Sequence, residues 1–487
     1  MRSASPTAGR IRHMDSRAGS PQLLKIGAAL LVAGAALVAV AFLSDFPMAT
    51  AAGISLTGTG IVVLEFGRNG IRGLNPLTAA GVMFGLGGLA DMVALLYENS
   101  DSRDLFFLYA SAEHLGTGLF VMYAGLLSLW AGYQWASQRA VGAWKPPSVW
   151  ADVRDAPLVP ACVIIYAIRL PLESFISIGW LGTLASLILL AGPMAAFLLT
   201  RRGAETGNRT VVWVGMGIAV VDAVRAALFE ILRMNMLLPL TAGVLGLLIG
   251  TRSFRAFRRV EVLPIYVLLA VGLPFFGTFA KQRGNLSYGS ERFSEIQTMS
   301  TGEEDALISL VSRFTTLNQV SQVVRLVDDS GYRQGETLEY LAWVWIPRFV
   351  WPDKPMVAKG QWFAAEIGQG FYLASGMFSN TINMTIPGEL YLNFGWLGIA
   401  LGCSLIGVLF RLVWQSADFW KGGANPWGNA LGFFLLYCGA VVVIDLQLIV
   451  SLIASYLVLL AAATWTRSTQ GQHRRVQAVG PGISRRP

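Results

Sequence analysis

The chain has 487 residues, 54% of them hydrophobic and only 14% charged, with a mean hydropathy of +0.54 and a net charge of +8. Such an apolar excess excludes an ordinary soluble domain and a disordered chain, and it predicts an all-α integral membrane protein. The positive charge gathers in short connections and tails, where the positive-inside rule places it, so it signals membrane orientation and no nucleic-acid partner.

Residues 1–21 form a polar, basic tail with no clear cleavage site, so the first apolar span reads as a retained anchor. A helix needs about twenty apolar residues to cross a bilayer. Candidate spans are 22–43, 47–66, 77–97, 105–131, 157–176, 178–200, 210–230, 235–251, 262–280, 387–412, 427–444 and 447–466, about twelve in all. Nine belong to a first block, residues 22–280, and three to a second, residues 389–466. Between the blocks, residues 281–388 form one large, partly helical loop, and residues 467–487 are a basic tail. Arg68 with Arg72, Arg139 with Lys145 and Arg154, Arg201 with Arg202 and Arg209, the group Arg252 to Arg259, and Arg411 with Lys421 recur every second connection. That alternation predicts cytoplasmic termini and places residues 281–388 on the periplasmic side of a bacterial inner membrane. Cys162, Cys403 and Cys438 sit in apolar spans and read as small buried hydrophobes, with no spacing for a disulfide or a metal.

Ionisable groups inside a span are costly and therefore site candidates. Here they are Asp91, Glu113, His114, Arg169, Asp222 and Arg225, all in the outer halves of their spans. Asp222 and Arg225 share a helix face and either pair with each other or line a cavity. Glu113 and His114 suit a proton relay or a helix-packing role.

In the loop, Thr301-Gly-Glu-Glu304 reads as a capping box. The apolar positions Leu307, Leu310, Val311, Phe314, Leu317, Val320 and Val324 follow at helical spacing, and Gly331 ends the pattern. The amphipathic helix so predicted lies on the bundle or at the membrane surface, with Arg313 and Arg325 either solvated or facing an anion. The run from Ile346 to Pro355 holds three prolines in ten residues and presents Arg348, Trp351, Asp353 and Lys354 together. Arg348, Lys354 and Arg313 are candidate diphosphate contacts, by guanidinium fork or point charge. Trp345, Trp351 and Trp362 offer flat faces for sugar rings, or alternatively an interfacial aromatic belt. Pro387 and Gly388 open the next span, and Glu389 in its first turn is either a helix cap or a general base kept ionised by the helix dipole. No Walker A motif, Asp-x-Asp spacing or nucleophilic triad is present, and no histidine lies in the loop.

The run Ile346–Pro355, followed by Ile386-Pro-Gly-Glu-Leu-Tyr-Leu-Asn-Phe-Gly395, resembles the Wzy-type polymerases of O-antigen and exopolysaccharide repeat units. The resemblance covers the long loop, the start of the next helix and the multi-span layout. It implies metal-independent, cofactor-free glycosyl transfer from a growing glycan on undecaprenyl diphosphate to the non-reducing end of a new lipid-linked unit. It also implies membrane lipid as the setting, with a chain-length regulator and a flippase as pathway partners. Arg348 and Lys354 would then neutralise the leaving diphosphate, and Glu389 or Asp353 would orient or deprotonate the acceptor hydroxyl. The Arg-x10-Gly pattern of some members is missing, since Gly360 lies one residue beyond that spacing from Arg348. Two alternatives are an O-antigen-type ligase, whose family carries a loop histidine that this chain lacks, and a glycolipid flippase or proton-coupled transporter built on the intramembrane charges.

Overall fold

The structure, a computed structural model, describes residues 20–96, 112–138, 191–229, 233–253, 256, 258–266, 314–344, 346, 351, 353, 355, 359–369, 382–421, 426–441 and 446. Every regular element among them is helical. The main helices are α1 (Pro21–Ser44), α2 (Pro47–Asn69), α3 (Pro76–Leu96), α4 (Ala112–Gln138), α5 (Ala191–Thr206), α6 (Arg209–Phe229), α7 (Arg233–Thr251), α8 (Leu317–Ser330), α9 (Lys359–Glu366), α10 (Ile386–Ala417) and α11 (Pro426–Val441). Among the described residues, α1, α2 with its 3-10 extension, α3, α4 and α10 are long and apolar enough to cross a bilayer. The predicted spans 157–176 and 447–466, and most of 178–200 and 262–280, lie outside the described residues.

The spanning helices pack through small residues. Gly27 and Gly34 of α1 meet α2 around Gly53, Thr57 and Gly60, and Gly58 of α2 meets α3 at Gly81 and Gly85. Removing side chains lets backbones approach, which is how helices associate where no water drives them together. The other face of α1 is bare, with Val32 70%, Phe42 74% and Leu43 85% exposed. An apolar face this open suits contact with lipid chains. A second set, α5, α6 and α7, packs around its own apolar core of Val212, Met216, Ala223 and Leu247.

Two differences from the sequence expectation involve charged groups. Helix α5 runs on to Thr206, so Arg201 and Arg202 are helical and not in a connection. Arg201 is buried there because its Nη2 donates to the Phe419 carbonyl at 2.8 Å, its Nε donates to Glu205 at 3.0 Å, and its guanidinium covers the Phe419 ring.

The larger correction concerns the predicted span 387–412. Helix α10 is broken at Gly395, whose φ of 61° and ψ of −149° are not helical. The two pieces fold back on each other: Leu390 carries its carbonyl against Gly398, and its side chain lies 2.7 Å from a Cβ built on Gly402. In an unbroken helix, residues twelve apart would be separated by about 18 Å. Depth along α4 gives the same picture, since Gly125 packs against both Pro387 and Cys403. Residues 386–394 therefore start inside the bundle and climb towards the end where α4 begins. The chain reverses at Gly395, and 396–417 descend beside α4, with Gly407 on Leu129 and Arg411 over the Tyr133 ring. Glu389 is thus on a re-entrant segment and not at the mouth of a continuous span.

A helix interrupted in an apolar setting leaves carbonyls that need donors. Here the Leu392 carbonyl accepts from Arg333 N–H at 2.9 Å and the Asn393 carbonyl from Gln334 N–H at 3.1 Å. The segment after α8 is thereby sewn onto the break.

Candidate functional site

The candidate site lies at the end of the bundle where α3 finishes and α4 begins. Helix α8 is wedged there between α4 and α10, with Leu317, Val320, Val323 and Val324 buried. Its N-terminus is capped by a carboxylate from another helix: Asp91 of α3 accepts from Thr316 N–H at 2.9 Å, Leu317 N–H at 3.2 Å and the Thr315 hydroxyl. The predicted capping box at Thr301 lies outside the described residues. At the other end, His114 Nε2 of α4 sits 3.1 Å from Asp328, and Gly331, at φ 78°, closes the helix. Two of the predicted intramembrane charges therefore hold the amphipathic helix in place. Glu113 is exposed, and of the two roles weighed for Glu113 and His114, the His114–Asp328 contact fits the packing role.

Helix α8 positions the re-entrant segment. Val320 and Val323 lie against Gly388, and Thr385 caps the segment by accepting from Gly388 N–H at 3.0 Å. Thr385 does so at φ 63° and ψ 155°, a conformation that a β-branched residue rarely adopts. Backbone strain of this kind concentrates where a site is held in one geometry.

Glu389 is 2% exposed and reaches from the first turn of this segment into a polar cluster. Its carboxylate accepts from Lys359 Nζ at 2.7 and 2.9 Å and from the Thr337 hydroxyl at 3.1 Å. Thr337 in turn accepts from Asn393 Nδ2 at 2.7 Å, and Asn393 Oδ1 accepts from Gly335 N–H at 2.9 Å. The Lys359 ammonium also lies 4.4 Å over the Tyr340 ring and 3.2 Å from its hydroxyl. Residues 382–385 run alongside, with Ile382 N–H donating to the Gly360 carbonyl at 3.0 Å. Together Lys359, Gly360, Ile382, Asn383, Met384, Thr385 and Glu389 line a small cleft with room for about one water molecule.

Of the other predicted site residues, Arg348, Lys354, Arg313, Trp345 and Arg169 lie outside the described residues. Asp353 is exposed and joins no hydrogen bond or ion pair among the described residues. Trp351 is 38% exposed and meets Trp343 edge-on at 6.4 Å. Trp362 is partly buried, and its ring carries the Arg333 guanidinium at 5.8 Å, so that face is taken by a cation in this state. Asp222 and Arg225 pair with each other, Nε to Oδ1 at 3.1 Å, within the α5–α7 group. Asp91, His114 and Glu389 thus gather around α8, while the Asp222–Arg225 pair belongs to the α5–α7 group.

Two functional groups were not singled out from the sequence. Lys359 follows the proline run in a stretch without periodicity, and only its nearness to Glu389 in space marks it. Glu65, 5% exposed at the opposite end of the bundle, accepts from Gln134 at 2.9 Å, Asn75 at 3.1 Å and Asn69 at 3.3 Å. That knot ties α2, α3 and α4 together, which is a packing task.

The cluster offers a carboxylate, an ammonium and two hydroxyls around a cleft, beside a helix start whose dipole favours negative charge. Such a set suits an anionic substrate that carries a hydroxyl to be deprotonated. Comparison of the chain with family models, with curated proteins and with solved structures finds no match.

Proposed function

We propose that this protein is a polymerase of undecaprenyl-diphosphate-linked oligosaccharide repeat units, working at the outer face of a bacterial inner membrane. The observation that carries the reading is the placement of Glu389. It lies within the motif that resembles the Wzy-type polymerases, and it opens onto a cleft lined by a cation. In the reaction, a hydroxyl at the non-reducing end of the acceptor attacks the anomeric carbon of the donor glycan. The bond from that carbon to the diphosphate oxygen breaks, and the hydroxyl proton passes to Glu389. Charge builds on the leaving diphosphate, and cations nearby lower the barrier by meeting it. Arg348 and Lys354, on the proline-rich run that leads into α9, are the cations that the resemblance assigns to this task. The twelve-span topology with cytoplasmic termini belongs to the same reading, since it sets the cleft on the side where lipid-linked units are joined.

The test is genetic and chemical. Glu389→Gln should leave single repeat units on the carrier while the protein stays in the membrane at normal level. Arg348→Ala should do the same. Long glycan chains made by both variants would remove the assignment.

A further inference from the structure

We infer that the Lys359–Glu389 pair is an exchange site for a diphosphate: the ligand takes the Lys359 ammonium and in doing so releases the two Glu389 oxygens that Lys359 holds. The inference rests on the polymerase reading for the identity of its ligand.

Three observations lead to it. First, Lys359 covers both carboxylate oxygens, at 2.7 and 2.9 Å, and Thr337 donates a third bond to the same carboxylate. While Lys359 and Thr337 hold these oxygens, they are not open to a substrate hydroxyl. Second, the pair borders the cleft unequally: the Lys359 side chain is 12% exposed and that of Glu389 3%. A phosphate oxygen at the mouth of the cleft reaches the ammonium first. Third, the two partners are anchored differently. Glu389 rides on the re-entrant segment, which is fixed by Pro387 against Gly125 and by Thr385 beside Met122. Lys359 stands at the first position of an eight-residue helix, on a flexible four-carbon stem. The ammonium is the part that can move, and the carboxylate is the part that stays.

A buried ammonium and a buried carboxylate are each costly without a partner. Exchange keeps Lys359 paired throughout, first with Glu389 and then with the diphosphate. The carboxylate is left to accept the proton of the acceptor hydroxyl, which replaces the lost charge contact. No group outside the substrates and these two side chains is needed for the balance. Coupling of this kind arms the base only when a diphosphate-linked donor is present, so that water is not activated in an empty site.

The inference makes an unusual prediction of sign. Glu389→Gln removes the competitor for Lys359, so inorganic pyrophosphate should bind that variant at least tenfold tighter than the wild type, although catalysis is lost. Lys359→Gln should bind it at least tenfold more weakly than the wild type, and Lys359→Arg should keep most of the affinity. The measurement is pyrophosphate titration of the purified full chain in detergent by calorimetry, with the shift of thermal unfolding as a second readout. If Glu389→Gln does not give folded protein, Glu389→Asp, whose carboxylate is set one methylene back, should show a smaller tightening of the same sign. Pyrophosphate binding to the carboxylate variant no tighter than to the wild type overturns the exchange, as does unchanged binding to Lys359→Gln. The polymerase reading fails separately: a wild-type protein that makes no glycan from lipid-linked units sinks that reading, while the pyrophosphate titration still decides the exchange.

Discussion

At the scale of single residues, the site depends on groups that satisfy one another. Asp91 shows this outside the chemistry. Its carboxylate takes two backbone N–H groups and a hydroxyl at the start of α8. Asp91→Ala strands those donors in a buried place, at a cost of about 1–3 kcal/mol for each group left unsatisfied. We predict a lowered unfolding temperature and faster amide exchange over residues 316–320, read by hydrogen–deuterium exchange; Asp91→Asn, which keeps an acceptor, should change both much less. Thr385 carries a different load. Its hydroxyl caps the re-entrant segment, but its backbone sits at φ 63°. Thr385→Ala loses the cap and keeps the strain, so it should cost about 1 kcal/mol. Thr385→Gly loses the same hydroxyl and relieves the strain, so it should be the more stable of the two in thermal unfolding.

Residue types told part of this story in advance. Glu389 stands out in the sequence because it follows Pro387 and Gly388 at the start of an apolar run. The Asp222–Arg225 pair is visible from its spacing of three. Lys359 was hidden, because nothing local in its stretch ties a lysine to a carboxylate thirty positions later. Thr337 and Asn393 were hidden for the same reason, as were the donors at 333 and 334 that complete the broken helix. Hydrogen bonds of long sequence separation leave no period behind.

At the scale of elements, the decisive feature is the break in α10. Hydropathy reports that residues 386–417 are apolar, and a single long helix is the natural expectation. What it does not report is direction, and a re-entrant segment is as apolar as a span. Gly395 was the available sign, lying inside a helical pattern where glycine is unfavourable without a purpose. A Cβ there would meet the Tyr332 ring at 3.0 Å, at a φ that favours glycine. Gly395→Ala is therefore predicted to misplace residues 386–394, and with them the proposed polymerisation, while the spanning helices remain. Single-cysteine variants along 386–394, labelled from the two sides in turn, check the geometry. A re-entrant segment reacts from one side at both of its ends, whereas a through-going helix would react from opposite sides. The amphipathic helix followed a similar course. Its apolar rhythm from Leu317 and its end at Gly331 were legible, but Phe314 lies before the helix, and its cap is a carboxylate from α3, supplied across more than two hundred positions of chain.

For the whole molecule, the parts converge on one end of the bundle. α3 ends there, α4 begins there, α8 is wedged between α4 and α10, and the re-entrant segment rises to meet the residues that follow α8. The described part of the long insertion is thus built into the bundle and not laid over it. A bundle that only crosses a bilayer has no use for a helix that enters and turns back. Such a segment brings a charged group to an intermediate depth while its backbone stays satisfied. A lipid-linked diphosphate would present its headgroup at that boundary, with the prenyl chain among apolar faces such as the exposed side of 396–417, where Leu397, Leu401 and Leu405 are uncovered.

One reconstitution bears on the proposed polymerisation above all. Purified protein in liposomes is given undecaprenyl-diphosphate-linked repeat units, and the products are resolved by gel. The wild type should give a ladder of lengthening glycans, and Glu389→Gln single units alone at equal protein content. A ladder from Glu389→Gln that matches the wild type, or a wild type that never extends its units, would contradict the proposal.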